Sequence, residues 1–233
     1  MINIDLKLFT EYFFKSPIYI FENKNFLNKI NKISDKYILE AKNNNNNILI
    51  DREKNWGKKI SKQKKDHGLV HHSKSLINET QFLEFNNFVI DISKNILDIQ
   101  GFDLTNHTLY FTELWVQEFS KAGGGNHNTH IHSDSHISGF YFLKCSDKTS
   151  HPVFHDPRPG ALMTKLPQKN SQNITTSNDI INYTPTPGTF VFFNSYLPHE
   201  FPVDNGIDNF RFVHFNIQAI KNEILNKNLT KSK

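Results

Sequence analysis

The chain has 233 residues, 37% of them hydrophobic and 13% aromatic, with 21 phenylalanines, 21% charged residues and a formal net charge of +4. That composition can bury a sizeable core and excludes a disordered chain. No apolar run approaches the roughly 18 residues that span a bilayer, so no membrane partner is expected.

In chain order, the first residues lack the basic start and apolar stretch of a secretory signal. Pro17–Phe21 predicts a short strand. Phe26, Ile30, Ile33, Tyr37 and Ala41 then recur at helical spacing, with Leu27 and Ile38 broadening the stripe, and this helix ends in the Asn43–Asn47 run. Residues 45–75 read as polar and irregular. Within them GKKISKQKKDHG is basic but carries no aromatic residue for base stacking, which predicts a solvated loop and argues against a nucleic-acid partner. A second helix starts near Asn78, with Gln81 as reciprocal capping partner. It presents Phe85, Phe88, Val89, Ile92 and Ile96 on one face and stops at Gly101.

After residue 105 short β-rich segments separated by Gly, Pro and Asn take over: LYFTELWVQEF, SGFYFL, PVFHD, GTFVFFNS and FRFVHFNI. Ile220, Ile224 and Leu225 suggest a short terminal helix. Helices first and strands second predict an α+β, mainly β, single domain over 1–233, with a helical buttress over about 1–105 and a barrel core over about 106–220. The single Cys145 excludes an intramolecular disulfide and fits a reducing, cytoplasmic setting; it reads as inert.

The densest chemical feature is GGGNHNTHIHSDSHISGFYFL, with His127, His130, His132, Asp134 and His136. If His130–His136 is extended, His130, His132, Asp134 and His136 share one face, because strand side chains alternate with period two. A His-x-His or His-x-Asp pair at a strand end is half of a metal site. Downstream, His199 follows the turn Asn194–Leu197, and Arg211 lies between Phe210 and Phe212 in the next aromatic strand. An inward Arg needs an anionic partner, and its planar fork suits a bidentate carboxylate; a solvent-facing Arg211 paired with Asp204 or Asp208 is the other reading.

Taken together, this order of residues resembles the 2-oxoglutarate/iron(II) oxygenase superfamily. FFKSPIYIF, LWVQEF, HIHSDSHISGFYFLKC, HDPR, PGTFVFFNSYLPHEF and FRFVHFN are similar to a 2OG-Fe(II) oxygenase family common in marine bacteria and their phages, with the strongest matches over about 109–217. The resemblance implies a double-stranded β-helix, a jelly-roll or cupin-like barrel, with iron(II) at its mouth. It implies His132, Asp134 and His199 as metal ligands, with His130 replacing Asp134 in a three-His alternative. It implies Arg211 as anchor of the 2-oxoglutarate distal carboxylate, with Tyr110, Tyr141 and Asn216 as further cosubstrate contacts. The implied reaction consumes dioxygen and 2-oxoglutarate, releases succinate and CO2, and hydroxylates a small-molecule or peptide substrate in the cytoplasm, the host's if the chain is phage-encoded.

Two rival readings remain at this point. Gly124 to His132 fits the first half of a cupin motif (G-x5-H-x-H), which predicts a metal-binding protein with three His that does not use 2-oxoglutarate. A non-catalytic jelly-roll module predicts no metal.

Overall fold

A computed structural model describes residues 9, 11–12, 14–63, 65–163, 166–170 and 172–225. Ten strands form two antiparallel sheets: β1 (Ile18–Glu22), β2 (Val70–His72), β3 (His107–Phe119), β4 (His127–His130), β5 (Ile137–Lys144), β6 (Val153–His155), β7 (Ile180–Asn182), β8 (Thr189–Asn194), β9 (His199–Phe201) and β10 (Arg211–Lys221). The larger sheet runs β1-β8-β5-β10-β3-β2 and the smaller β4-β9-β6-β7. From β3 onward the chain crosses repeatedly between sheets, β3 to β4 to β5, then β7 to β8 to β9 to β10. That alternation of four strands in each sheet makes a double-stranded β-helix, with β1 and β2 added at the edges of the larger sheet.

The central strands β5, β8 and β10 of the larger sheet are buried on both faces, which explains their unbroken apolar runs. On β8, Phe190 and Phe192 face the helices while Val191 and Phe193 face the barrel. On β5, Ile137, Tyr141 and Leu143 face the helices and Phe140 and Phe142 the barrel; on β10, Val213, Phe215 and Ile217 face the helices and Phe212 the barrel. Period two sets this division. The helical layer is α1 (Leu27–Asn44) and α4 (Leu83–Ile99), which bury Ile30, Tyr37 and Ile38 and Phe85, Val89 and Ile96 against the sheet. Gly101 follows α4 at φ +89°, a left-handed conformation that Gly adopts without a Cβ clash, and its N–H donates to the Asp98 carbonyl at 2.8 Å.

Several expectations are corrected. The stretch 45–75 is not irregular: it carries α2 (Asn46–Trp56), α3 (Lys58–Gln63) and β2. Its helices are short and bury no residue of α2, so they leave little apolar periodicity to read. α4 starts after a 3₁₀ turn, Thr80–Phe82, and no side chain caps it, so Asn78 and Gln81 form no capping box. Ile220 lies in β10, which continues to Lys221; Ile224 and Leu225 fall in a single helical turn that ends the described residues. A short helix, α5 (Pro159–Met163), completes the elements. Among the described residues no helix is long and apolar enough to cross a membrane.

Candidate metal centre

The imidazoles converge where β4 and β9 of the smaller sheet face β3, β5 and β10 of the larger. β4 pairs with β9 so that His130 stands opposite His199. Ring centroids are 4.4 Å apart for His130 and His199, 5.0 Å for His130 and His132, and 5.2 Å for His132 and His199. Each of the three offers a nitrogen within 4.8 Å of the others, a separation that admits one metal ion.

Two of these rings are fixed in the tautomer a metal needs. His130 Nδ1–H donates to the Asn128 carbonyl at 2.7 Å and His199 Nδ1–H to the Leu197 carbonyl at 3.0 Å. A carbonyl only accepts, so the proton sits on Nδ1 and Nε2 keeps its lone pair. The His199 and His132 Nε2 atoms are buried without a hydrogen-bond partner among the described residues. His132 is held at Nδ1 by Asn216, whose Nδ2 lies 3.0 Å away and also donates to Glu113 Oε2 at 2.6 Å. Metal-binding imidazoles are ordinarily oriented by donating the second ring N–H to a carbonyl or carboxylate, as His130 and His199 do, whereas the Asn216 amide donates to His132 Nδ1 and so places that ring's proton on Nε2 until a metal displaces it or the amide turns over. Burial pushes His199 down to about 2 and His132 to about 3, so both are neutral at physiological pH, as ligation requires. The donor set fits a divalent metal of the iron–zinc range.

A second group overlaps the first. Glu113, His132 and His214 also offer donor atoms within 4.8 Å of one another. The His214 ring beside it, helped by His132 and Asn216, holds the Glu113 carboxyl at about 2 against the opposing effect of burial. The sequence reading missed both Glu113 and His214. The signal lay in strand parity: on β10, His214 shares a face with Phe212, which points into the barrel.

Asp134 stands outside both groups. β4 ends at His130 and the chain turns at Ser133–Asp134, so the alternation expected through His136 is broken. Asp134 instead lines an open polar groove of about 310 Å3, together with Thr112, Glu113, His132 and Asn216.

Arg211 is not at the cluster. It has the parity of Val213, Phe215 and Ile217, which face the helices, and it is buried there. Its Nε donates to Glu118 Oε2 at 2.7 Å, Nη2 lies 2.6 Å from the same oxygen, and Nη1 donates to Asp35 Oδ1 at 2.6 Å. Lys42 Nζ adds a bond to Glu118 Oε1 at 2.6 Å. Its ion-pair partners are thus Glu118 and Asp35 and not Asp204 or Asp208. Tyr141 is likewise on the helical side, its hydroxyl donating to the Asn23 carbonyl at 2.9 Å, and Tyr110 bonds Gln218 near the other end of β3. Of the expected cosubstrate contacts, only Asn216 reaches the cluster.

The small space beside the imidazoles measures about 70 Å3 and is lined by Trp115, three phenylalanines and five histidines, with no Lys or Arg. The residues present therefore fit a metal, whereas the anchor expected for the 2-oxoglutarate distal carboxylate is not in place. Cys145 is half-buried, its thiol pushed up to about 12 by burial, consistent with an inert side chain.

Residues 113–216 match a family described as "Putative 2OG-Fe(II) oxygenase". Among solved structures, the chain is similar to AviO1 from Streptomyces viridochromogenes Tue57 (11% identity, covering 78% of this chain and 84% of that one, TM-score 0.46). It is also similar to HygX from Streptomyces hygroscopicus with nickel and 2-oxoglutarate bound (9% identity, 64% and 69% covered, TM-score 0.44). A third likeness is to an oxidoreductase of the 2OG-Fe(II) oxygenase family from Burkholderia pseudomallei (12% identity, 61% and 54% covered, TM-score 0.38), of which the chain spans about half the length. No curated protein matches the sequence. The matched residues 113–216 carry Glu113 and every imidazole of the cluster, and the family they match is one of oxidoreductases whose cofactors are iron(II) and 2-oxoglutarate.

Proposed function

We propose that this chain is an iron(II)- and 2-oxoglutarate-dependent dioxygenase that hydroxylates a small-molecule or peptide substrate, with His130, His132 and His199 holding the metal. One observation carries the ligand assignment: two of the three rings donate Nδ1–H to backbone carbonyls, leaving Nε2 free for a metal. Iron with its cosubstrate supplies the dioxygen-activating chemistry.

The chain's own residues do the rest. Asn216 orients His132 from β10. Phe140, Phe154 and Phe193 pack on His199 with ring centroids 5.8, 6.3 and 4.7 Å away and keep water from that side of the metal. The open side is the polar groove, where Thr112 and Asp134 are available to a substrate. No step is assigned to Arg211.

The cupin-like alternative uses the same three imidazoles, so metal content does not separate the two readings; cosubstrate turnover does. The test is a substrate screen read as 2-oxoglutarate-dependent succinate release by the iron-loaded protein. Succinate above a metal-free control is expected. Iron binding without any succinate, with or without candidate substrates, would refute the dioxygenase reading.

A further inference from the structure

β3 and β10 pair so that His214 stands opposite Trp115 and Asn216 opposite Glu113. Thr112 has no partner in this register, and the shift falls between Asn216 and Ile217. The irregularity resets the alternation of β3: Phe111 and Leu114 both pack toward the helices, so Glu113 is turned to the His214 side together with Trp115.

His214 is 1% exposed, and neither of its ring nitrogens has a hydrogen-bond partner among the described residues. Its Nε2 is 3.5 Å from Glu113 Oε2, an ion-pair distance but too long for a well-formed hydrogen bond. Its ring centroid is 4.9 Å from that of His132 and 4.4 Å from that of Trp115. Leaving both nitrogens of a buried imidazole unsatisfied is costly, and a cation placed among Glu113, His132 and His214 would give a partner to one nitrogen of each ring and to the carboxylate at once.

We propose that Glu113, His132 and His214 form a second metal position, sharing His132 with the three-imidazole position, so that one divalent first-row ion occupies one or the other. The chemistry of the two differs. The first offers three neutral imidazoles beside an apolar cavity. The second is a two-His-one-carboxylate set, which lowers the net charge of a bound ion. Glu113 keeps 49% of its side chain exposed, so this position borders the groove from which a substrate would approach. Its carboxylate comes from β3, not from Asp134.

The inference rests on the cluster being a metal centre, and a cobalt(II) titration of the full chain separates the two claims. In the double variant His130→Gln/His199→Gln the first position is lost; the protein is expected still to bind cobalt(II), with visible absorption of the bound ion. Adding Glu113→Gln is expected to weaken that binding by more than about 100-fold, beyond the usual effect of losing an outer-shell partner. If the double variant, folded by circular dichroism, binds no cobalt(II), or if Glu113→Gln changes nothing in it, the second position is refuted. Should the double variant not fold, the Glu113→Gln single variant decides: an altered cobalt(II) spectrum supports the position and an unchanged one overturns it. Wild-type protein that binds no metal at all would instead remove the metal centre itself.

Discussion

Arg211 shows how one residue's place follows from strand parity. Residues of odd and even number on β10 face opposite layers, so Arg211 and His214 cannot both point into the barrel. Arg211 and Glu118 form a buried ion pair that the exposed Asp35 and the partly exposed Lys42 extend toward the surface. Burial alone would raise the Glu118 carboxyl, but Lys42 and Arg211 outweigh it and hold it below its ordinary range. Arg211→Met should therefore destabilise the fold by about 3 kcal/mol, as breaking buried ion pairs does, while metal affinity stays near wild type. Denaturant unfolding and a metal titration check this; unchanged stability with lost cosubstrate binding would contradict it. Asp134→Asn should likewise leave metal affinity almost unaltered, whereas His130→Gln should weaken it by more than about 10-fold; the opposite pattern would restore Asp134 as a ligand. From sequence, the His-x-His spacing, His199 and the FN pair ending in Asn216 were legible because metal sites need those residue types at strand ends. Glu113 and His214 were not, because the bulge at Thr112 and the inward parity of β10 depend on pairing that the linear order does not print.

At the scale of elements, β5 is pressed between β8 and β10 and carries Gly139 at the crowded point. A Cβ there would meet the Phe215 ring at 2.5 Å and the Val191 carbonyl oxygen at 2.6 Å. Gly139→Ala should cost about 1–3 kcal/mol, the usual effect of overpacking, read as a lower melting temperature; no change would mean that the sheet is less tightly paired than described. Strands β5, β8 and β10 of the larger sheet were legible as aromatic runs because both their faces are buried, whereas the short edge strand β2 was not. α2 and α3 were not, since helices with no buried face leave no periodic stripe and look like a solvated loop. The extended reading of His130–His136 failed for a related reason: period-two patterning cannot show that the Ser133–Asp134 turn ends the strand.

For the whole molecule, the metal centre makes stability depend on pH. An imidazole in the unfolded chain titrates near about 6.5, while burial lowers His199 to about 2 in the fold. Between those values the unfolded state binds a proton that the folded state refuses. The metal-free protein should therefore be most stable above about pH 6.5 and lose stability as pH falls, by about 1.4 kcal/mol per unit for His199 alone. Thermal melts between pH 8 and 5 test this, with a shallower slope expected in His199→Ala; equal slopes would mean that His199 is not buried neutral.

The central claim is that one ion is held where β4, β9, β3 and β10 meet, with His132 common to both ligand groups. Anaerobic titration of the purified chain with iron(II), comparing wild type with His132→Ala, tests it most directly. About one iron per chain, as expected of a single mononuclear centre, and its loss in the variant are predicted; a folded His132→Ala protein that retains wild-type iron affinity would contradict it.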